Sequence, residues 1–573
     1  MLKNRVLPTI TLLCGAFSSL SHAEISVSIE GIDGPLKDNV DVYLSTIPEE
    51  DYSLSLRFKS RVETSIQQAL KALGYYEPKI EFIVVSEDED HDVTINISPG
   101  PPVLIRESDI VISGEAKNDQ DFIALVEKSG LHLGNILNHS KYDALKSGVR
   151  NLALRKGYFD GDFTLKRLEV SPENRQVFVR LHYDSGKRYH YGETTIIGSQ
   201  IDQDRVLSLL PYKPNDPYLA SQIGELNQSL SNTEWFSSVL VEGDIENIKD
   251  NLLPINVSLA PQARNKIETG LGYSTDVGVR GTVKWNKPWL NSRGHSFDSS
   301  LSVSNPEQTL AMGYKIPLED VLNEYYQVQF GMKNLDNRDT RSQEYNLSLE
   351  RHWKLESGWH RTAFTRVLYE DYRQGTEEDI STLILPGVTY TRSRVRGGAM
   401  PMWGDKQVIT VEVSDKSWGS DASLLRVQGR TAWVRSSGNN HRGIARFDGG
   451  GVYTSELENI PPSLRFFAGG DNNLRGYGYE SISPKDEKGN LTGGQYMATS
   501  SLEYQYRVVG NWWAATFVDY GSAWTDTPEW KTGTGVGVRW ASPIGPIRLD
   551  FAWGLDEKPK DRFQIHFTLG PEV

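Results

Sequence analysis

The residue with the clearest chemical character sits among glycines and aromatics, in Leu474-Arg475-Gly476-Tyr477-Gly478-Tyr479. A guanidinium is permanently charged and presents five donors in a planar fork, so it suits a carboxylate held edge-on. In a dry interior Arg475 would need such a partner, because an unpaired buried charge is far too costly. Asp519, within Phe517-Val518-Asp519-Tyr520-Gly521-Ser522-Ala523-Trp524, is the first candidate and Glu503 the second. On a solvent-facing surface the same arginine would need neither.

Covalent chemistry finds no foothold. The sequence has no Gly-x-Ser-x-Gly elbow, no His-Glu-x-x-His, no phosphate-binding Walker loop and no Gly-x-Gly-x-x-Gly between a strand and a helix. Glu87-Asp88-Glu89-Asp90-His91-Asp92 lacks the spaced ligands and turn glycine of a calcium loop and reads as a solvated turn. Gly533, Gly535 and Gly537 alternate within a strand pattern, where glycine thins a wall or admits a bulge. The expectation is a protein that is not an enzyme and has neither metal nor cofactor.

Arg475 lies in a connection of about 38 residues between strand candidates ending near Glu456 and starting near Gly494, far longer than most connections. The flanking sequence, from about Asn265 onward, is built of short alternating runs. Ile547, Leu549, Phe551 and Trp553 alternate with Arg548, Asp550 and Ala552. Phe563, Ile565, Phe567 and Leu569 alternate with Gln564, His566 and Thr568. One face is apolar and the other polar, as in a barrel wall between lipid and lumen. The 310 residues from Arg264 to Val573 accommodate about sixteen strands of membrane-spanning length with their connections. Trp285, Trp289, Tyr325, Tyr326, Trp353, Trp403, Trp512 and Trp513 gather near strand ends, as interfacial girdles would.

Ahead of this region a unit repeats three times. Each copy opens on an extended segment that ends in glycine, at Gly31, Gly114 and Gly198, spaced by 83 and 84 residues. Ala69-Leu70-Lys71-Ala72-Leu73-Gly74-Tyr75-Tyr76 then matches Leu152-Ala153-Leu154-Arg155-Lys156-Gly157-Tyr158-Phe159. There the glycine suits the left-handed residue past a helix end. The third copy keeps the aromatic pair Trp235-Phe236 but has no glycine, which predicts a different helix ending. Alternating strands close the copies at Val93 to Ile97, Val177 to Leu181 and Ile255 to Leu259. The unit reads as strand, two helices, two strands, each copy with its own core.

Lys3 and Arg5, the apolar run from Val6 to Phe17, and Ser21-His22-Ala23 predict a secretory signal peptide over 1–23. The one cysteine, Cys14, falls within it, leaving a mature chain without thiols or disulfides. A net charge of −14 argues against a nucleic-acid partner, whose phosphates need a basic surface.

Leu474-Arg475-Gly476-Tyr477 and Phe517-Val518-Asp519-Tyr520-Gly521 resemble the paired motifs of the BamA-like outer-membrane assembly superfamily. That resemblance implies an Arg475 to Asp519 contact pinning an inward-folded loop in the lumen. The repeats resemble polypeptide-transport-associated (POTRA) domains, and Phe563, Ile565, Phe567 and Leu569 resemble an outer-membrane insertion signal in a last strand. Three such copies before one barrel are most similar to the TamA family, the translocation and assembly module subunit. The implied organisation is α+β repeats followed by an all-β region: signal peptide 1–23, POTRA domains 24–102, 103–187 and 188–263, and a 16-stranded transmembrane β-barrel, 264–573.

The implied localisation is the outer membrane of a Gram-negative bacterium, with the POTRA domains in the periplasm and outer-membrane lipids around the barrel. The implied role is assembly of client outer-membrane proteins such as autotransporters, with TamB as partner, through a seam between the first and last barrel strands. A two-partner secretion transporter, usually marked by a plug helix, and an envelope lipid-transfer component are the alternatives. A passive porin would leave the repeats unexplained, and an outer-membrane enzyme would need the nucleophile and base that the sequence lacks.

Overall fold

The computed structural model describes residues 25–48, 51–87, 90–398, 400–542 and 545–569. The expected signal peptide and two residues of the acidic turn, 88 and 89, lie outside them. The chain divides into two compact units. One reaches to Glu193 and includes Lys213–Gln222 and Asp244–Pro254; the other comprises Thr194–Tyr212, Ile223–Gly243 and Ile255–Val573.

Three small sheets share one plan. The first combines β1 (Ile25–Glu30), α1 (Gly34–Leu44), α2 (Leu56–Ala72), β2 (Lys79–Glu87) and β3 (Asp90–Ser98) in the order β1-β3-β2. The second has β4 (Leu104–Ser113), α3 (Gln120–Glu127), α4 (His139–Lys156), β5 (Asp162–Ser171) and β6 (Gln176–Asp184), ordered β4-β6-β5. The third has β7 (His190–Ile197), α5 (Gln203–Leu207), α6 (Ala220–Asn232), β8 (Phe236–Gly243) and β9 (Leu252–Pro261), ordered β7-β9-β8.

In each sheet the last strand in sequence is central, and its alternate residues are buried: Val93, Ile95 and Ile97; Val177, Val179 and Leu181; Leu253, Ile255, Val257 and Leu259. A period of two buries one face of a strand, and the helices supply the cover. Ser55 caps α2 by accepting from the Phe58 N–H at 3.2 Å, and Asn138 caps α4 through the Lys141 N–H at 3.3 Å.

The repeated glycines do two jobs. Gly74 and Gly157 take left-handed φ of 94° and 81° just past α2 and α4. Their carbonyls then accept the N–H of Val103 and of Tyr189, at 2.9 and 2.8 Å, so each helix end also seats the start of the next domain. The third copy ends its helix in the same way, contrary to what the missing glycine predicts. Glu234 occupies the equivalent position with φ 58°. The helix exit requires that conformation, and the chain accepts the Cβ strain there. Trp235 beside it donates from Nε1 to the Gly294 carbonyl at 3.2 Å.

Sixteen strands, from β10 (Lys266–Ser274) and β11 (Gly278–Lys287) to β25 (Phe563–Leu569), close into an antiparallel barrel. The wall that carries the candidate site is β20 (His441–Tyr453), β21 (Tyr496–Val509), β22 (Trp512–Trp524), β23 (Lys531–Ser542), β24 (Gly545–Gly554) and β25. Along β21, Leu502 is 67% exposed and its neighbour Glu503 only 6%. The apolar residue faces outward and the charge faces the lumen, which is the pattern of a wall set in lipid. Arg548, Asp550, Ala552 and His566 likewise turn inward. Trp285, Tyr326 and Trp512 are exposed, whereas Trp513 is buried and so departs from the expected girdle, because its position along β22 points inward.

Candidate functional site: a charged network under the lumen loop

The loop between β20 and β21 runs from 454 to 495 and folds over a buried apolar cluster that includes Leu464, Phe466, Ala468, Leu474 and Tyr477. Gly469, Gly470 and Gly476 take positive φ along its path, which lets the backbone double back tightly. Gly470 N–H donates to the carbonyls of both Leu474, at 3.2 Å, and Tyr477, at 3.1 Å. The result is a self-supporting turn with Arg475 at its tip.

Arg475 is fully buried and meets the wall on several sides. Its Nε and one terminal nitrogen donate to the two Asp519 oxygens at 2.8 and 2.9 Å, and its own backbone N–H donates to Oδ2 at 3.0 Å. The other terminal nitrogen reaches Glu503 at 2.7 Å and Asp550 at 3.4 Å. Ser501 accepts a further bond at 3.2 Å, and the guanidinium lies 3.4 Å from the centre of the Phe517 ring. Such a face-on cation strengthens when desolvated.

Neighbours on the wall balance the charge. Arg539 donates to Glu503 at 2.8 Å and pairs with Asp550 at 2.7 Å, while Arg446 lies 3.9 Å from Glu503. Three guanidinium groups thus interleave with three carboxylates. Burying ions carries a large desolvation cost, so such a set is tolerable only when every charge has partners. What the network can do is hold: it fixes the loop tip to β21, β22, β23 and β24 at once.

Glycine makes this closeness possible. A Cβ on Gly533 would lie 2.0 Å from the Arg475 carbonyl oxygen, and one on Gly554 would lie 2.6 Å from that of Gly476. Gly533 on β23 and Gly554 on β24 therefore flatten the wall where the loop backbone rests, while Gly535 makes room for the Phe517 ring and Gly537 for Asp550 and Arg539. Tyr477 extends the grip, donating to the Thr532 carbonyl at 3.0 Å and to Asp556 at 3.1 Å. Burial pushes its hydroxyl pKa upward.

The structure thus brings Leu474, Arg475, Gly476, Tyr477, Asp519 and Glu503 into one place. It puts Phe563, Ile565, Phe567 and Leu569 elsewhere, on the face of β25 opposite the buried His566. The sequence reading missed Asp550 and Arg539 as members of the network. Asp550 was already on the inward face of an alternating run, and that inward phase was the available signal. It also missed Asp276, Asp471 and His566, which gather beside the loop.

Comparison with known proteins bears on this arrangement. Residues 264–572 match the Omp85 superfamily domain, and residues 26–99 match POTRA domain TamA domain 1. Outer membrane protein assembly factor BamA of Nitratidesulfovibrio vulgaris is 23% identical over 423 residues, covering 68% of this chain and 52% of that protein. BamA of Neisseria meningitidis serogroup B is 21% identical over 588 residues, covering 87% of this chain and 70% of that protein. The chain spans about half the length of the first of these relatives. The crystal structure of Haemophilus ducreyi BamA lacking POTRA domains 1–3 superposes with a TM-score of 0.70 at 16% identity, over 82% of this chain and 99% of that one.

Proposed function

The chain belongs to the Omp85 superfamily, and from that membership we propose that it is an outer-membrane assembly factor that admits client strands at the seam between β10 and β25. The observation that carries this reading is the seam itself. Among the described residues β10 and β25 share one register pair, Ser274↔Thr568, whereas β10 pairs with β11 from Lys266 to Ser274 and β24 with β25 along the whole of β25.

Lipid cannot satisfy backbone N–H and C=O groups, so an incompletely paired strand edge in a bilayer favours any strand that can complete it. A client segment with the alternating pattern of a membrane strand gains hydrogen bonds there, and its insertion needs no covalent step. The Arg475 network gives the seam a rigid floor, since it ties the loop to the four strands that precede β25. The POTRA sheets offer edge strands on the periplasmic side, where a TamB-like partner or an unfolded client would bind. On this reading the clients are autotransporters and other outer-membrane proteins. The similarity of residues 26–99 to the first TamA POTRA domain supports TamB as the partner.

Extending the register of Ser274↔Thr568 by one step sets Tyr273 opposite Leu569. In cells that depend on this protein, oxidising Tyr273→Cys with Leu569→Cys should stop assembly of an autotransporter barrel, and reduction should restore it. Undiminished assembly by the locked protein would exclude the seam as the route.

A further inference from the structure

Asp276 lies in the turn between β10 and β11, Asp471 in the lumen loop and His566 in the middle of β25. Candidate ligand atoms of the three lie within 4.8 Å of one another. Asp276 Oδ2 accepts from the Asp471 backbone N–H at 2.8 Å. His566 Nδ1 is 2.5 Å from Asp471 Oδ1, which also accepts from the Thr275 hydroxyl at 3.0 Å. The Thr568 hydroxyl donates to Asp471 Oδ2 at 3.4 Å. Asp471 therefore joins the first hairpin to the last strand.

The imidazole tautomer follows from its other side. Gly476 N–H donates to His566 Nε2 at 2.9 Å, so Nε2 supplies a lone pair and the ring proton resides on Nδ1, which donates to Asp471. A cation at this cluster would need the Nδ1 lone pair, which would move the ring proton onto Nε2, facing the Gly476 N–H. The cluster's own hydrogen bonds thus occupy the atoms that a metal would use.

The position of the cluster gives it a task. Because Ser274 pairs with Thr568, the β10–β11 turn ends beside the middle of β25. Besides that pair, the two edges are joined by Thr275 N–H to the Phe567 carbonyl, Phe567 N–H to the Thr275 hydroxyl, and the rings of Tyr273 and Phe567 at 5.8 Å. The loop must supply what the short hairpin cannot.

We propose that Asp276, Asp471 and His566 are positioning residues that latch the loop-side end of the seam, with Asp471 as the bolt, and that the latch must release before β10 and β25 separate. Its consequence for clients rests on the seam reading above; the latch itself does not. Gly476 follows Arg475 directly, so the residue that closes the charged network on β21–β24 is bonded in series to the one that orients His566. The loop tip thereby connects the fixed wall to the movable edge.

Hydrogen–deuterium exchange of the full chain in lipid nanodiscs reads the latch without any client, because local opening sets the exchange rate of seam amides. Asp471→Ala and His566→Ala should each speed exchange in 266–274 and 563–569 by about tenfold, the scale of losing one or two net hydrogen bonds. Peptides of β21 to β23 should stay at the wild-type rate. At about pH 4, near the free value of the carboxyl, Asp276→Asn, which keeps an oxygen for the Asp471 N–H, should stay near wild type at the seam. Unchanged seam exchange in both alanine variants overturns the proposal. So does an equal rise across β21 to β23, which would make the cluster a general stabiliser, or slowing of wild-type seam exchange by zinc chloride, which would make it a cation site. Faster seam exchange in the variants, combined with normal client assembly by the Tyr273–Leu569 locked protein, would leave the latch standing and remove the seam from function.

Discussion

Arg475 and Asp519 are joined by three hydrogen bonds, two from the guanidinium and one from the arginine's own backbone N–H, all between 2.8 and 3.0 Å. The backbone bond matters because it fixes the chain as well as the side chain. A loop held only through a long side chain could still slide over the wall.

Removing either partner should therefore strand a buried charge. Asp519→Ala or Arg475→Ala is expected to destabilise the barrel by about 3–5 kcal/mol. Arg475→Lys should rescue little, because an ammonium cannot span both carboxylate oxygens while also reaching Glu503. The loss of the compact, heat-modifiable form on semi-native gels, followed against temperature, measures all three variants. A lysine variant that behaves like wild type would show that charge alone holds the loop.

Gly533→Ala should mimic loss of the arginine contact without touching a charge. The new Cβ would fall 2.0 Å from the Arg475 carbonyl oxygen, so loop or strand must move. Gly429→Ala, with open space at its Cβ, is the control expected to be silent. Protease accessibility of the 454–495 loop distinguishes them, and equal protection in both variants would deny the close approach its importance.

Glu234→Gly should stabilise the third repeat by about 1 kcal/mol, by relieving the left-handed strain at the end of α6. Denaturant unfolding followed at Trp235 reports it. A destabilised variant would mean that the glutamate side chain contributes more than its backbone strain costs.

Leu502→Arg places a charge on the outward face of β21, beside inward Glu503. In a bilayer this should cost about 2–4 kcal/mol near mid-depth. Folding yield into vesicles measures the effect, and an unimpaired yield would argue that this face does not meet lipid.

The latch should weaken as pH rises. Burial, and next the Asp471 charge, hold the Asp276 carboxyl well above the usual carboxylate range. Against burial, His566 holds Asp471 below it. A carboxyl whose latched pKa is raised contributes fully below its free value, about 4, and loses that contribution as pH rises through the raised value. Asp471 and His566 face Asp276 directly, and Lys406, Arg430, Arg446, Asp448 and Tyr479 line the same cavity. All of these are retained in Asp276→Asn, so the ratio of wild-type to variant seam exchange at each pH isolates Asp276. That ratio should climb between about pH 4 and pH 7 and level off above; a flat ratio would show that Asp276 keeps one protonation state.

The sequence by itself determined the local architecture. Period-two alternation tells a strand which residues to bury, so the central strands of the three small sheets and the inward phase of Arg548, Asp550 and His566 could be read directly. The Gly-aromatic ending marked two helix exits because only glycine adopts their backbone without strain. It failed at Glu234, where the demand of the fold overrides the preference of the residue. Arg475 announced a need for a carboxylate, but Asp519, Glu503 and Asp550 lie 44, 28 and 75 residues away along the chain, and only the pairing of β21 to β24 and the inward fold of the loop bring all three to one guanidinium. Of the Asp276–Asp471–His566 cluster the sequence showed only the inward phase of His566. Its members come from the first hairpin, the long loop and the last strand, and their juxtaposition depends on the register at which the two ends of the barrel meet. That register is set by the sum of pairings around sixteen strands, a global quantity that no local pattern encodes.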